Sequence, residues 1–152
     1  MAQHRYLRPS AIDHVFNMLV AGLTRLGVSL YGSRVLEVKG RKSGAVRTVP
    51  VNLLEYGGAR YLVAPRGDTE WVRNLRAAGE GGLRLGARVE PFVAHEVADA
   101  DKLPVLRAYI ARWWFEVSRF FELSGPDPSD AELAGVASQH PVFRVEAPPR
   151  PV

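Results

Sequence analysis

A small antiparallel β-barrel with helices packed against it is the fold this sequence predicts. Three observations lead there. From residue 34 the apolar positions recur with a period of two, the pleat of a strand. The β-rich runs come in pairs joined by short turns, which makes neighbouring strands antiparallel. The order along the chain is helix, four or five strands with one short helix among them, a long helix, a short helix and a strand. Closing such a sheet and covering it with helices is the natural packing solution.

The chain has 152 residues, the length of a single domain covering 1–152 with enough material for a core. Hydrophobic residues at 47% and charged residues at 24% place it among ordinary globular proteins. A net charge of +4 favours anionic partners and says nothing about fold. There is no cysteine, which excludes disulfides, thiolate metal sites and cysteine nucleophiles. No export signal is legible at the N-terminus, and no apolar run approaches the length of a membrane span. The expected location is the cytoplasm.

Residues 1–9 read as a loose arm. A helix over about 10–27 follows: Ser10 caps it, Asp13 sits three residues on, and Gly27 stops it. Ile12, Val15, Phe16, Leu19, Leu23 and Leu26 give it one apolar face. That face either packs on the core or makes a peripheral membrane contact, with Arg25 on the wet side. "RVLEVKG" at 34–40 is the first strand. "TVPVNLLEY" and "RYLVAP" around a Gly-rich turn form a first hairpin, and "LRLG" with "VEPFVAHEV" a second. Pro50 and Pro91 belong at strand ends or edges, where a missing N–H does least harm.

Between the hairpins, "GDTEWVRNLRAAG" is a short helix with Asp68 or Thr69 as cap, Trp71 and Leu75 on one face, and Gly79 at the end. The C-terminal helices span about 101–138. Residues 101–123 read as one long helix with Pro104 in its first turn and an aromatic stripe through Tyr109, Trp113 and Phe120. "GPDPS" breaks it, and Ser129 with Glu132 forms a capping box for the next helix. "HPVFRVE" at 140–146 is a last strand, and the chain ends in a disordered tail.

The four histidines have no metal-ligand spacing, so no metal is expected. No nucleophile elbow, dinucleotide fingerprint or P-loop is present. Glu116 and Glu122 read as a solvated helix face. The conspicuous stretch is "KGRKSGAVRTVP", with Lys39, Arg41, Lys42 and Arg47 and no acid. Gly40 and Gly44 permit a tight turn whose N–H groups, with Arg41, Lys42 and the Ser43 hydroxyl, can cradle an anion. Taken alone, a solvated basic hairpin is the commoner reading of such a run. No aromatic side chains are interleaved with these cations, so no nucleic-acid partner is expected.

The order of the pieces resembles the deazaflavin (F420)-dependent nitroreductase and quinone reductase family. The matching residues are Gly40, Arg41, Lys42, Ser43, Gly44, Arg47 and Pro50, then Trp71, Asn74 and Leu75 opening a helix. The resemblance is close over about 30–95 and looser elsewhere. It implies a split, Greek-key-like β-barrel and coenzyme F420, with FMN as the alternative cofactor of related barrels. Hydride would pass from reduced F420 to a small electron-poor acceptor such as a quinone, an enone or a nitro compound. Arg41, Lys42, Ser43 and Arg47 would hold the phosphate and acidic tail, and Thr48, Val49 and Pro50 would line the ring edge. Ala64, Pro65 and Arg66 would lie against its reactive face, and Trp71 and Asn74 would close the pocket. Tyr109 and Trp113 would roof the acceptor or simply be core. No side chain is required as catalyst, because the cofactor carries the chemistry. Pro65 stands where the nitroreductases often have a serine, and it offers neither a hydroxyl nor an N–H, which weighs against nitro acceptors. A non-catalytic F420- or fatty-acyl-binding protein on the same fold is the alternative, and monomer and homodimer are both compatible.

Overall fold

The computed structural model describes residues 32–150. The helix expected over 10–27 lies outside the described residues. Strands β1 (Ser33–Lys39), β2 (Val46–Tyr56) and β3 (Ala59–Val63) are followed by helix α1 (Glu70–Ala78). Then come β4 (Glu80–Leu85), β5 (Arg88–Glu96), α2 (Leu103–Val117), α3 (Asp130–Val136) and β6 (Val142–Glu146). The strands close into an antiparallel barrel in the order β1-β2-β3-β6-β5-β4. Closure pairs every strand on both sides over part of its length, which limits the free edges that burden an antiparallel sheet.

The two expected hairpins are present. β2 and β3 turn at Gly57 and Gly58, whose φ values of 59° and 77° suit the type of two-residue turn that matches strand twist. The second hairpin starts earlier than its apolar pattern suggested. Glu80, Gly81 and Gly82 pair with Val93, Phe92 and Pro91, although glycines carry no period-two signal. The last strand, β6, sits between β3 and β5 and completes the ring.

Alternation sorts the apolar side chains into two clusters. Leu53, Leu62 and Phe143 point into the barrel, where Val72 and Leu75 of α1 plug one end. Leu54, Val63 and Val142, their chain neighbours, point outward onto α2. Successive strand residues face opposite sides, so each strand serves both cores. Arg76 clamps α1 to the barrel through paired 2.7 Å bonds to Glu96 and a 3.4 Å contact with Asp68.

β2 changes partners along its length. Among the described residues, 46–52 pair only with β1, and 53–56 pair with β3. Pro50 therefore lies opposite Val35 with no described strand on its other side. Pro91 likewise pairs with Gly82, and β5 meets β6 only from Val93 onward. Both prolines sit where no ladder bond is lost.

The long helix is shorter than its periodicity implied. α2 ends at Val117, with non-helical angles at Trp113 (φ −122°, ψ 20°), and a 3₁₀ turn spans Ser118–Phe120. The chain bends so that Phe121 stacks on His140 at 4.0 Å and approaches Tyr109 at 6.3 Å. Tertiary packing overrides a continuous apolar stripe here. The capping box of α3 forms as expected: Glu132 N–H donates to Ser129 Oγ, and Ser129 N–H donates to Glu132 Oε2. Among the described residues, no helix is long and apolar enough to cross a membrane.

Candidate functional site

The basic turn joins β1 to β2. Gly40 N–H donates to the Ala45 carbonyl at 2.8 Å and Gly44 N–H to the Gly40 carbonyl at 2.9 Å. Gly44 has φ 73°, which a side chain would strain. A Cβ on Gly40 would stand 3.0 Å from Ser43 Oγ and 3.1 Å from the Ala45 carbonyl oxygen, so these neighbours would have to give by a few tenths of an ångström. The Ser43 hydroxyl accepts from Ala45 N–H at 3.2 Å and so braces the turn itself.

Arg41 anchors the turn to α1. Its backbone N–H donates to Asn74 Oδ1 at 3.1 Å, and its guanidinium donates to the same oxygen at 2.8 Å and to Glu70 Oε2 at 2.9 Å. Asn74 is buried. Glu70 is exposed, and its hydrogen bond from Arg41 holds its carboxyl below the usual range. Lys42 and Arg47 are exposed and form no ion pair with any other described residue.

A cavity of about 590 Å³ opens beside the unpaired half of β2. That is within the usual size range of small-molecule and cofactor sites. Its walls are the 40–43 turn, residues 47–52 of β2, Pro65 and Arg66 after β3, the start of α1, and the end of α2 with its 3₁₀ turn. The split in β2 pairing makes the cavity. Where β3 no longer covers β2, the 65–66 loop, the end of α2 and its 3₁₀ turn stand opposite among the described residues.

The fold brings most of the sequence-derived residues to this cavity. Arg41, Lys42, Ser43, Arg47, Thr48, Val49, Pro50, Pro65, Arg66, Trp71, Asn74 and Tyr109 all line it. Trp71 also touches the barrel core through Phe143, at 6.1 Å between ring centroids. Two of the expected residues do not reach the cavity. Ala64 is 1% exposed inside the barrel; its N–H donates to the Pro141 carbonyl, and its own carbonyl lies 3.4 Å from His140 Nδ1. Trp113 is fully buried beside Tyr109, 5.0 Å away, under the Arg112 guanidinium. Trp113, where the helix carries non-helical angles, packs in the core with Tyr109, Ile110 and Val117.

Several lining residues lay outside the sequence expectation. The Phe120 ring carries the guanidinium of Arg66 at 4.2 Å and that of Arg119 at 4.8 Å, a cationic rim on an aromatic floor. Glu116, read from sequence as solvated, is half-buried in the cavity wall. Asn52 Nδ2 donates to its Oε2 at 3.3 Å. Burial pushes the Glu116 carboxyl above its ordinary range, and the Asn52 bond offsets part of that rise. Burial, with Glu116 nearby, also holds the Tyr109 hydroxyl well above its usual range. No sequence signal marks Glu116, because its partner lies on a strand 64 positions away. Among the described residues there is no group of three or more His, Asp or Glu able to hold a metal.

The model of the F420H2-dependent quinone reductase family matches residues 15–119. No functionally curated protein matches the chain significantly. The fold is similar to that of a solved F420-H2-dependent reductase, FDR-A, at 21% identity and TM-score 0.52, covering 79% of this chain and all of that one. A solved domain-swapped dimer matches at 20% identity and TM-score 0.54, covering 89% of this chain and 96% of that one. A FAD-binding protein from Mesorhizobium loti matches at 14% identity and TM-score 0.50, covering 93% and 91%. At these identities the solved structures establish a shared fold.

Proposed function

The chain belongs to the F420H2-dependent quinone reductase family, and on that premise we propose that it binds coenzyme F420 in the cavity beside β2 and passes hydride from its reduced form to a small quinone or enone. The observation that carries this reading is the juxtaposition of the tight basic turn with the roughly 590 Å³ cavity along the uncovered half of β2. An anionic group fits the turn, and a ring system fits the cavity.

The residues present suit such a cofactor. Lys42 and Arg47, both exposed at the turn, would hold the phosphate and acidic tail through charge-assisted bonds. Arg41 is committed to Asn74 and Glu70, so its part is to shape the cradle rather than to close on the phosphate. Thr48, Val49 and Pro50 would line the ring edge on the unpaired side of β2, with Trp71 beside them. When bound, F420 supplies the hydride, and the protein supplies position, charge and exclusion of water.

Binding is tested by titrating the protein with F420 and following tryptophan fluorescence, with Trp71 as the expected reporter. Turnover is tested by mixing reduced F420, protein and menadione and watching the oxidised-cofactor absorbance recover. A protein that neither binds F420 nor speeds that recovery is not this enzyme. Light scattering on the purified protein separates monomer from homodimer.

A further inference from the structure

Two carboxylates line the cavity, and they stand in opposite situations. Glu70 is exposed and tied to Arg41. Glu116 is half-buried, and among the described residues its hydrogen-bond partner is the Asn52 amide. Asn52 sits five positions beyond Arg47 on β2, roughly 16 Å along the strand at the usual rise per residue. The two residues lie on alternate faces of the strand, and both line the one cavity, with Glu116 at the Asn52 end.

We propose that Glu116, held by Asn52 in the α2 wall of the cavity, is the hydrogen-bond donor that receives the carbonyl oxygen of a neutral quinone-like acceptor. The proposal deepens the reductase reading and rests on it for the word acceptor. Asn52 donates its Nδ2–H to Glu116 Oε2, so the carboxyl has one oxygen satisfied and one available to the cavity. A protonated carboxyl donates to a carbonyl oxygen, whereas a carboxylate only accepts and repels it. Burial favours the protonated form. Once ionised, Glu116 would repel an acceptor bearing a carboxylate at this end.

The other charged groups around the cavity come from every wall. Arg41 and Lys42 stand on the turn, Arg47 on β2, Arg66 after β3, Glu70 on α1 and Arg119 beyond α2. Burial raises both the Tyr109 hydroxyl and the Glu116 carboxyl above their usual ranges. Of the lining groups, Glu116 is the carboxyl whose protonation decides whether a hydrogen bond is donated to a neutral carbonyl.

The test uses the cofactor-free protein and menadione, with affinity read by tryptophan quenching from acid to alkaline pH. Wild type should bind menadione about tenfold more weakly once pH has risen through the Glu116 titration, the loss expected for one buried hydrogen bond. Glu116→Gln, which keeps an N–H donor, should bind well and show no such pH step. Glu116→Leu should bind weakly at every pH. A Gln variant that retains the wild-type pH step overturns the proposal, and so does a wild type with pH-independent affinity. The Gln variant carries the decision if the Leu variant does not fold. F420 titration of the wild type runs in parallel. F420 binding with pH-flat menadione affinity sinks the Glu116 assignment alone. The expected menadione profile without F420 binding supports the carbonyl subsite and sinks the reductase reading.

Discussion

Asn74 Oδ1 accepts both the backbone N–H and the guanidinium of Arg41, at 3.1 and 2.8 Å, across 33 positions of sequence. One buried amide oxygen thus fixes the course of the basic turn and the direction of its first cation. The turn is positioned from α1, and α1 is itself clamped to β5 by Arg76 and Glu96. Cradle geometry is a property of barrel packing rather than of the loop alone.

Asn74→Ala should destabilise the protein by about 1–3 kcal/mol, because it strands the part-buried Arg41 N–H and removes a charge-assisted bond. Urea unfolding measures this. Asn74→Asp keeps both acceptor contacts beside a cation and should recover most of the loss. If Ala and Asp are equally destabilising, the Arg41 bonds are not what Asn74 contributes.

Lys42→Ala should weaken F420 binding, and the difference from wild type should be larger at low ionic strength, where phosphate contacts are least screened. Arg41→Ala should cost more in thermal stability than Lys42→Ala, since Arg41 braces the turn. Affinity by fluorescence and melting by calorimetry separate the two roles. Equal affinity in Lys42→Ala and wild type would remove Lys42 from the cradle.

Trp113→Ala should cost about 3–5 kcal/mol, the usual range for emptying a large buried aromatic site. A wall residue would tolerate the same change with far less loss. A melt shifted by under a degree would return Trp113 to the cavity wall.

The capping box of α3 should be visible in acid. Hydrogen bonds from Ser124 and from Ser129 N–H hold the Glu132 carboxyl down to about 2. A carboxyl lowered on folding stabilises the protein above its unfolded value, near 4.3, and that contribution fades as pH falls toward 2. Glu132→Gln should flatten the fall in stability between those limits, read by urea midpoints at successive pH values. Ser129→Ala should cost about 1 kcal/mol at neutral pH as a lost N-cap. An unchanged acid profile in Glu132→Gln would show that other carboxylates dominate it.

The basic turn, the two hairpins, the short helix and the last strand were legible because each is a local pattern. Alternation, Gly-rich turns and the Ser129–Glu132 spacing act over a few residues. The family resemblance placed Lys42, Arg47, Pro50 and Trp71 together before any geometry did, and the cavity contains all four. Glu116 was misread for the opposite reason. A carboxylate on an amphipathic helix looks solvated unless one knows that Asn52 and the open half of β2 lie across from it. Trp113 stays beside Tyr109 in the stripe, but of the two Tyr109 lines the cavity and Trp113 is core.

What the sequence by itself determined is the set of elements, the position of the prolines and the cationic turn. These follow from steric and periodic rules that each segment obeys alone. Only the tertiary structure decided that β2 changes partners after Asn52, and hence where the barrel opens. It also decided that Arg41 serves the turn and that Glu116 faces the cavity. The physical reason is that burial and hydrogen-bond partners between distant segments arise only once strands and helices pack. The chemistry of a carboxylate or a guanidinium is set by those neighbours rather than by its place in the chain.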